Sequence, residues 1–143
     1  CKHVVAYFKS GQLACTDPTG KVLWNKNLQD EFGKDTLWWD LGTSPVLTSK
    51  GVVVAVMQEG DSYLACLDLD TGETLWQESR TYERPSESDQ SYTTPAVADV
   101  DGDETIVTWG ADHLTGHDAA TGKLLWDSAG FNPEDHGMWR SIA

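Results

Sequence analysis

One eleven-residue segment decides the fold: Cys66-Leu-Asp68-Leu-Asp-Thr71-Gly72-Glu-Thr-Leu-Trp76. Two further segments follow the same plan, Cys15-Thr-Asp17-Pro-Thr-Gly20-Lys-Val-Leu-Trp24 and Gly116-His-Asp118-Ala-Ala-Thr121-Gly122-Lys-Leu-Leu-Trp126. Each contains a small residue, an Asp two positions later, a Gly, and a Trp four positions after that Gly. The tryptophans are 52 and 50 residues apart, so the sequence repeats with a period of about fifty.

A second part of the repeat supports the same period. Thr43-Ser44-Pro45 recurs fifty residues later as Thr93-Thr94-Pro95, and Trp39 recurs as Trp139. Each full period also contains four short runs rich in β-branched, aromatic or Leu residues, separated by Gly and Asp turns. These runs are 45–48, 52–57, 63–69 and 74–78, then 95–99, 105–108, 113–119 and 123–126. No segment sustains a helical period, although one short helical turn is expected within 32–39.

Four antiparallel strands in each period of this length are typical of a β-propeller blade. The predicted fold is therefore all-β, a single partial propeller domain of about three four-stranded blades. Its expected parts are a partial first blade at 1–28, a second at 43–79, a third at 93–128 and the start of another at 139–143.

Propellers close with four to eight blades, so about three blades cannot close a ring. We therefore expect the chain to be a fragment, of a ring with seven or eight blades. The sequence has no initiating Met and no leader, which agrees with this expectation. The alternative is that copies associate to complete a ring, since an open propeller leaves strand edges unpaired.

Charge excludes several classes of partner. The 143 residues carry 10 Lys and Arg against 23 Asp and Glu, a net charge of −13. Nucleic acids and anionic membrane surfaces both select clustered cations, so neither is an expected partner. No apolar run approaches the roughly 20 residues of a membrane span.

Three cysteines do not make a disulfide framework, and Cys15 and Cys66 occupy equivalent small core positions of the repeat.

The repeated residues are expected to be structural and not catalytic. An Asp at the end of a strand can accept hydrogen bonds from the N–H groups of the next turn, and a Gly can close that turn. A Trp on the outermost strand can cover the seam between blades. The residues with this predicted role are Asp17, Gly20, Trp24, Asp68, Gly72, Trp76, Asp118, Gly122 and Trp126.

The pattern small-x-Asp-x-x-Thr-Gly-Lys-x-x-Trp resembles the tryptophan-docking motif of the pyrroloquinoline-quinone (PQQ) repeat superfamily of propellers. The resemblance implies one of two functions. The BamB-like branch is non-catalytic and binds other proteins, and we favour this scaffold function, with no cofactor. The alternative is a PQQ- and Ca²⁺-dependent alcohol or sugar dehydrogenase. The alcohol dehydrogenases have a disulfide between adjacent cysteines, and this chain has no Cys-Cys pair.

The resemblance also implies an extracytoplasmic location, periplasmic or secreted. A third, structural interpretation is a propeller domain that serves assembly within a larger multidomain chain.

The loops that enter the first strand of each blade, 28–42 and 79–91, are the longest, and long loops on a rigid scaffold often bind ligands. They carry aromatic and charged residues of the types found at interaction hot spots. The predicted partner- or ligand-binding residues are Trp38, Trp39, Asp40, Gln90, Tyr92, Trp139 and Arg140. Alternatively, the tryptophans fill the mouth of the central channel. In the dehydrogenase interpretation, Trp39, Asp40 and Trp139 lie near the channel axis.

The sequence does not favour a metal site. Asp99, Asp101 and Asp103 resemble the start of a Ca²⁺-binding loop, but Gly102 stands at its fourth position and no Glu stands at its twelfth. We favour an Asp-Gly hairpin for this segment. His113-x-x-x-His117 lies in a predicted strand, where positions four apart are roughly 13 Å apart, which is too far for one Zn²⁺ ion.

Overall fold

The computed structural model describes residues 2–37, 39–84 and 86–132. Eleven strands in these residues form three antiparallel sheets, which confirms the expected all-β class. The first sheet has the order β1 (Val4–Tyr7), β2 (Gln12–Thr16), β3 (Val22–Asn27). The second has the order β4 (Val46–Leu47), β5 (Val52–Val56), β6 (Tyr63–Leu67), β7 (Thr74–Ser79). The third has the order β8 (Ala96–Val100), β9 (Asp103–Gly110), β10 (His113–Asp118), β11 (Leu124–Ala129).

The core lies between the sheets, and the second sheet is buried on both faces. Strand β5 reads Val-Val-Val-Ala-Val and is buried throughout. Because successive side chains of a strand point to opposite faces, both faces of the sheet are covered at this strand. Val52 and Val54 belong to a cluster with Leu13 and Leu28 of the first repeat. Val53 instead contacts a cluster that includes Ile106 of the third sheet.

Each sheet has the same irregularity in its last strand pair. The register shifts directly after the small residue that pairs with the repeated Trp. The cross-strand pairs are Cys15 with Trp24, Cys66 with Trp76, and Gly116 with Trp126. Burial raises the pKa of the Cys66 thiol to about 11, and it raises that of Cys15 as well, so both thiols are neutral side chains of the core.

The repeated Asp organises the turn before the last strand. Asp68 Oδ1 accepts hydrogen bonds from the backbone N–H of Thr71 at 2.8 Å and from its hydroxyl at 3.0 Å. Asp118 Oδ1 accepts the same pair from Thr121, at 2.8 and 2.7 Å. Asp17 in the shorter first copy accepts them from Thr19, at 2.8 and 2.6 Å. These hydrogen bonds hold the pKa of all three carboxyls below the usual value, because they stabilise the charged form.

The repeated Trp joins its own sheet to the next one. Trp24 Nε1–H donates to the carbonyl oxygen of Leu69 in the second repeat at 2.9 Å. Trp76 Nε1–H donates to the carbonyl oxygen of Ala119 in the third repeat at 3.2 Å. The two acceptors are fifty residues apart and hold the same place in their repeats. Trp126, the third copy of this residue, is 41% exposed.

One sequence prediction was wrong. The helical turn expected within 32–39 lies earlier, at α1 (Leu28–Phe32). Asn27 determines this start, because its Oδ1 accepts the N–H of Gln29 at 2.9 Å and caps the helix. The helix ends at Gly33, where φ is +90°. Leu28 is fully buried, so α1 anchors the connection to the second sheet.

Candidate functional site

The connections between strands alternate between two edges of each sheet, because neighbouring strands are antiparallel. One edge carries the turns at 8–11, 57–62 and 110–112 and the loops 33–45 and 80–95 that lead into β4 and β8. We call it the long-loop edge. The opposite edge carries the short Asp–Gly turns. The predicted binding residues that the structure describes are all in loops of the long-loop edge: Trp39, Asp40, Gln90 and Tyr92. Trp38, Trp139, Arg140 and the expected blade start at 139–143 lie outside the described residues.

Trp39 and Asp40 are presented by an anchored loop. The backbone N–H of Thr36 donates to Gln58 Oε1 at 3.1 Å, and its hydroxyl donates to the carbonyl oxygen of Glu59 at 2.8 Å. The loop is therefore fixed to the turn between β5 and β6 just before the two residues. Trp39 is 54% exposed and Asp40 is exposed, so both are accessible to a partner.

Gln90 and Tyr92 occupy different environments. Gln90 is completely buried, and its Oε1 accepts a hydrogen bond from the Tyr92 hydroxyl at 2.8 Å. Tyr92 is half-buried and packs against Gly42, where a Cβ atom would lie 3.1 Å from that of Tyr92. The two loops, fifty residues apart in sequence, thus run side by side. Gln90 positions Tyr92, and the solvent-facing part of this pair belongs to the tyrosine.

The second loop is held to the third sheet by hydroxyl groups. Ser91 and Thr93 both donate to the carbonyl oxygen of Trp109, at 2.7 and 2.8 Å. Asp89, two residues before Ser91, is buried. Burial and the nearby Glu59 carboxylate raise the pKa of Asp89 above its usual range.

Arg80 is the main residue that sequence reasoning missed. It is 3% exposed, and its guanidinium reaches from the end of the second sheet into the third. It donates to the carbonyl oxygen of His113 at 2.7 Å, to that of Gly110 at 3.3 Å and to the Thr115 hydroxyl at 2.8 Å. Burial lowers its pKa to about 10, so the group remains charged at neutral pH. The repeat contained a signal, because the equivalent position 52 residues earlier is the apolar Leu28.

A second polar contact lies at the outer side of the junction between the second and third sheets. The Tyr82 ring stacks on the imidazole of His113, with centroids 3.8 Å apart. The Tyr82 hydroxyl donates to Asp127 Oδ2 at 2.8 Å, and His113 Nδ1 lies 2.8 Å from Asp127 Oδ1. Burial and the Asp127 carboxylate raise the pKa of Tyr82 to about 12, so the phenol stays protonated. The cluster ties the second long loop to β10 and β11.

The candidate Ca²⁺ segment forms a hairpin. Asp101 and Gly102, at φ +55° and +95°, make a two-residue turn that closes the Val100–Asp103 pair. Asp99 Oδ1 accepts the N–H of Gly102 at 3.0 Å, so this carboxylate is engaged within the turn. Among the described residues, no group of three or more His, Cys, Asp or Glu side chains is arranged to hold a metal ion.

The three successive sheets, with an equivalent Trp at each of the two junctions between them, form a piece of a β-propeller. A family model described as "Outer membrane protein assembly factor BamB" matches residues 2–136. The chain belongs to this PQQ-repeat family. No curated protein sequence matches it significantly.

Solved structures agree on the fold. BamB from Moraxella catarrhalis superposes with a TM-score of 0.65 at 23% identity, over 90% of this chain and 34% of that one. The quinohemoprotein alcohol dehydrogenase of Comamonas testosteroni gives 0.61 at 14% identity, over 90% and 26%. A quinohemoprotein alcohol dehydrogenase from Pseudomonas putida HK5 gives 0.59 at 12% identity, over 90% and 25%. The chain thus spans between a quarter and about a third of these proteins.

Within the described residues, no helix is long and apolar enough to cross a membrane.

Proposed function

We propose that the chain is part of a non-enzymatic scaffold that binds another protein through the long-loop edge. The observation that carries the proposal is the family match over residues 2–136, whose description is that of an assembly factor. The proposed site of action is extracytoplasmic, as that description of an outer-membrane assembly process suggests.

The long-loop edge supports a role in protein binding. Trp39 offers a large, half-exposed aromatic surface on a loop that Thr36 fixes to the neighbouring turn, so little ordering is needed on binding. Asp40 places a carboxylate beside it. Trp is among the residue types enriched at interaction hot spots. With a net charge of −13, the chain favours a partner whose surface carries basic residues around an apolar patch.

Site-specific photo-crosslinking in the native host tests the proposal. The full-length protein carries a benzophenone amino acid in place of Trp39 or, as the control, in place of Thr19 in the short turn at the opposite edge. We expect a discrete protein adduct from position 39, absent from position 19 and reduced in a variant that also carries Asp40→Lys. Equal adducts from both positions would contradict a binding surface at the long-loop edge.

A catalytic measurement on the same full-length protein tests the non-enzymatic part. We expect no alcohol- or sugar-dependent dye reduction after addition of PQQ and Ca²⁺. Cofactor-dependent turnover would contradict the scaffold proposal and identify a quinoprotein dehydrogenase.

A further inference from the structure

The two junctions between sheets differ in chemistry at equivalent positions of the repeat. At the first junction these positions are Leu28, Ala65 and Leu67, all fully buried in one apolar cluster. The residues that replace them at the second junction are Arg80, Thr115 and His117. All three are at least 97% buried as well, so a polar group has replaced each apolar one without gaining access to water.

His117 faces the second sheet. It pairs across the ladder with Ile106, and directly paired residues of neighbouring strands share a face of the sheet. Ile106 belongs to a cluster with Val53 and Cys66 of the second sheet. Thr115, two positions earlier on β10, lies on the same face as His117.

The hydrogen bonds of this group have only one consistent direction. A carbonyl oxygen can only accept, so the His117 Nδ1 that lies 2.9 Å from the Gly122 carbonyl oxygen carries a hydrogen. The hydroxyl of Thr115 lies 3.0 Å from His117 Nε2 and itself accepts from Arg80 Nε–H at 2.8 Å. In the neutral imidazole, Nε2 is an acceptor, so Thr115 donates to it. Arg80 thus donates to Thr115, Thr115 donates to His117, and His117 donates to the carbonyl oxygen of Gly122, which together form a buried chain of donors.

We propose that the junction between the second and third sheets is an acid-sensitive switch, which a single proton on His117 Nε2 loosens while the first junction stays closed. Protonation turns Nε2 into a donor, so the Thr115 hydroxyl hydrogen must turn away. The nearest other acceptor is the Thr108 carbonyl oxygen at 3.4 Å. Two cations, Arg80 and His117, would then donate to one buried hydroxyl oxygen, and a buried like-charge contact of this kind is unfavourable.

The surroundings determine the direction of the effect. Burial lowers the pKa of His117 below its ordinary value of 6.5. The Gly122 carbonyl opposes this shift, the Arg80 cation adds to it, and the Glu78 and Asp127 carboxylates oppose it. The folded junction thus binds its proton more weakly than the opened one. The stability that neutral His117 contributes to the junction is fully present above pH 6.5 and falls as the pH drops below that value.

The consequence reaches the neighbouring tryptophan. Gly122 supplies the carbonyl to His117 and also lies under the ring of Trp76, where a Cβ atom would be 2.5 Å from the indole. Loosening this turn therefore frees the Trp76 contact that joins the second sheet to the third.

Hydrogen–deuterium exchange of the full-length protein at pH 5.0, 6.0 and 7.5, corrected for the intrinsic exchange rate, tests the proposal. Between pH 6.0 and 5.0 we expect exchange of residues 113–126 to accelerate by up to about tenfold, the limit for one linked proton. Residues 12–24 of the first sheet serve as the internal reference and should keep their protection.

Variants separate His117 from other titrating groups. His117→Leu installs the residue that the equivalent position of the second sheet already carries, and it should abolish the pH dependence. His113→Gln removes the contact to Asp127 at the outer side of the junction, so exchange should rise at every pH, but the dependence on pH should remain. Equal protection of the wild-type segment at pH 5.0 and 7.5, or an unchanged pH dependence in His117→Leu, would overturn the proposal.

A measurement on the wild-type protein covers the case in which His117→Leu does not fold. The imidazole resonance of His117 should titrate below pH 6.5, and the indole N–H resonance of Trp76 should shift with the same midpoint. A Trp76 resonance that does not respond to the His117 titration would overturn the proposal.

Discussion

A Cβ atom placed on Gly72 would lie 2.7 Å from the indole ring of Trp24, closer than two non-bonded carbon atoms can approach. Gly72 also has φ +75°, in the left-handed region. The repeated glycine is therefore required for two reasons, the backbone of its own turn and the ring of the preceding sheet. Gly122 and Trp76 have the same relationship one repeat later.

Gly72→Ala should be more destabilising than the same change in a turn without a covering ring. The matched control is Gly20→Ala, since Gly20 has φ +89° and nothing within 4 Å of the added atom. The left-handed backbone alone costs about 1–2 kcal/mol, and forced overpacking adds about 1–3 kcal/mol at Gly72. The free energies of unfolding from urea titrations provide the measurement. Equal losses for the two variants would show that the Trp24 ring does not cover Gly72.

Trp76→Phe should destabilise the protein even though an aromatic ring is retained. The variant leaves the Ala119 carbonyl oxygen without the indole donor it has at 3.2 Å, a loss of about 1–3 kcal/mol. Trp39→Phe serves as the control, because the Trp39 ring is more than half exposed and the change should stay within about 0.5 kcal/mol. The measurement is the free energy of unfolding of each variant. Similar losses for Trp76→Phe and Trp39→Phe would contradict a role of the Trp76 hydrogen bond between sheets.

Asp118 should contribute stability that is lost in acid. The Thr121 hydroxyl is the largest cause of its lowered pKa, followed by backbone N–H groups. Because the folded pKa lies below the unfolded value of 3.8, the contribution is complete above that value and disappears as the pH falls through the folded pKa. Asp118→Asn should therefore melt at a lower temperature than the wild type at pH 7, and this difference should shrink as the pH falls below 3.8. A melting difference that is independent of pH would contradict this account.

Calcium should not stabilise the hairpin at 99–103. Asp101 and Gly102 already form a two-residue turn of positive φ, and Asn-Gly suits that turn as well as Asp-Gly does. We therefore expect the melting temperature to be unaffected by millimolar CaCl₂, and Asp101→Asn to be as stable as the wild type. A calcium-dependent rise in melting temperature that Asp101→Asn removes would instead identify an ion site.

The sequence predicted the strands well because their determinants are local. Runs such as Val52–Val56 combine β-branched residues with turn residues at both ends, and the fifty-residue echo identified which runs are equivalent. Boundaries were less accurate where a side chain decides them. The cap made by Asn27 moved the helical turn to Leu28–Phe32, and a two-residue turn extended β9 to begin at Asp103.

The candidate site was less predictable because burial depends on distant contacts. Gln90 and Tyr92 are two residues apart and look alike as candidates, but the structure buries the first completely and leaves the second half-exposed. Arg80 has no local motif, and the carbonyl oxygens that its guanidinium bonds, those of Gly110 and His113, lie 30 and 33 residues further along the chain. Comparison of the repeats could have found it, since a charged residue there replaces Leu28.

The central claim is that successive sheets are equivalent blades joined by the repeated Trp. A crystal structure of the full-length protein tests it most directly, by superposing the surroundings of Trp24 and Trp76. The account predicts that each indole nitrogen lies near 3 Å from a carbonyl oxygen of the next sheet, those of Leu69 and Ala119, with the ring over Gly72 and Gly122. Two indoles in unrelated surroundings, without a shared carbonyl and glycine contact, would contradict it.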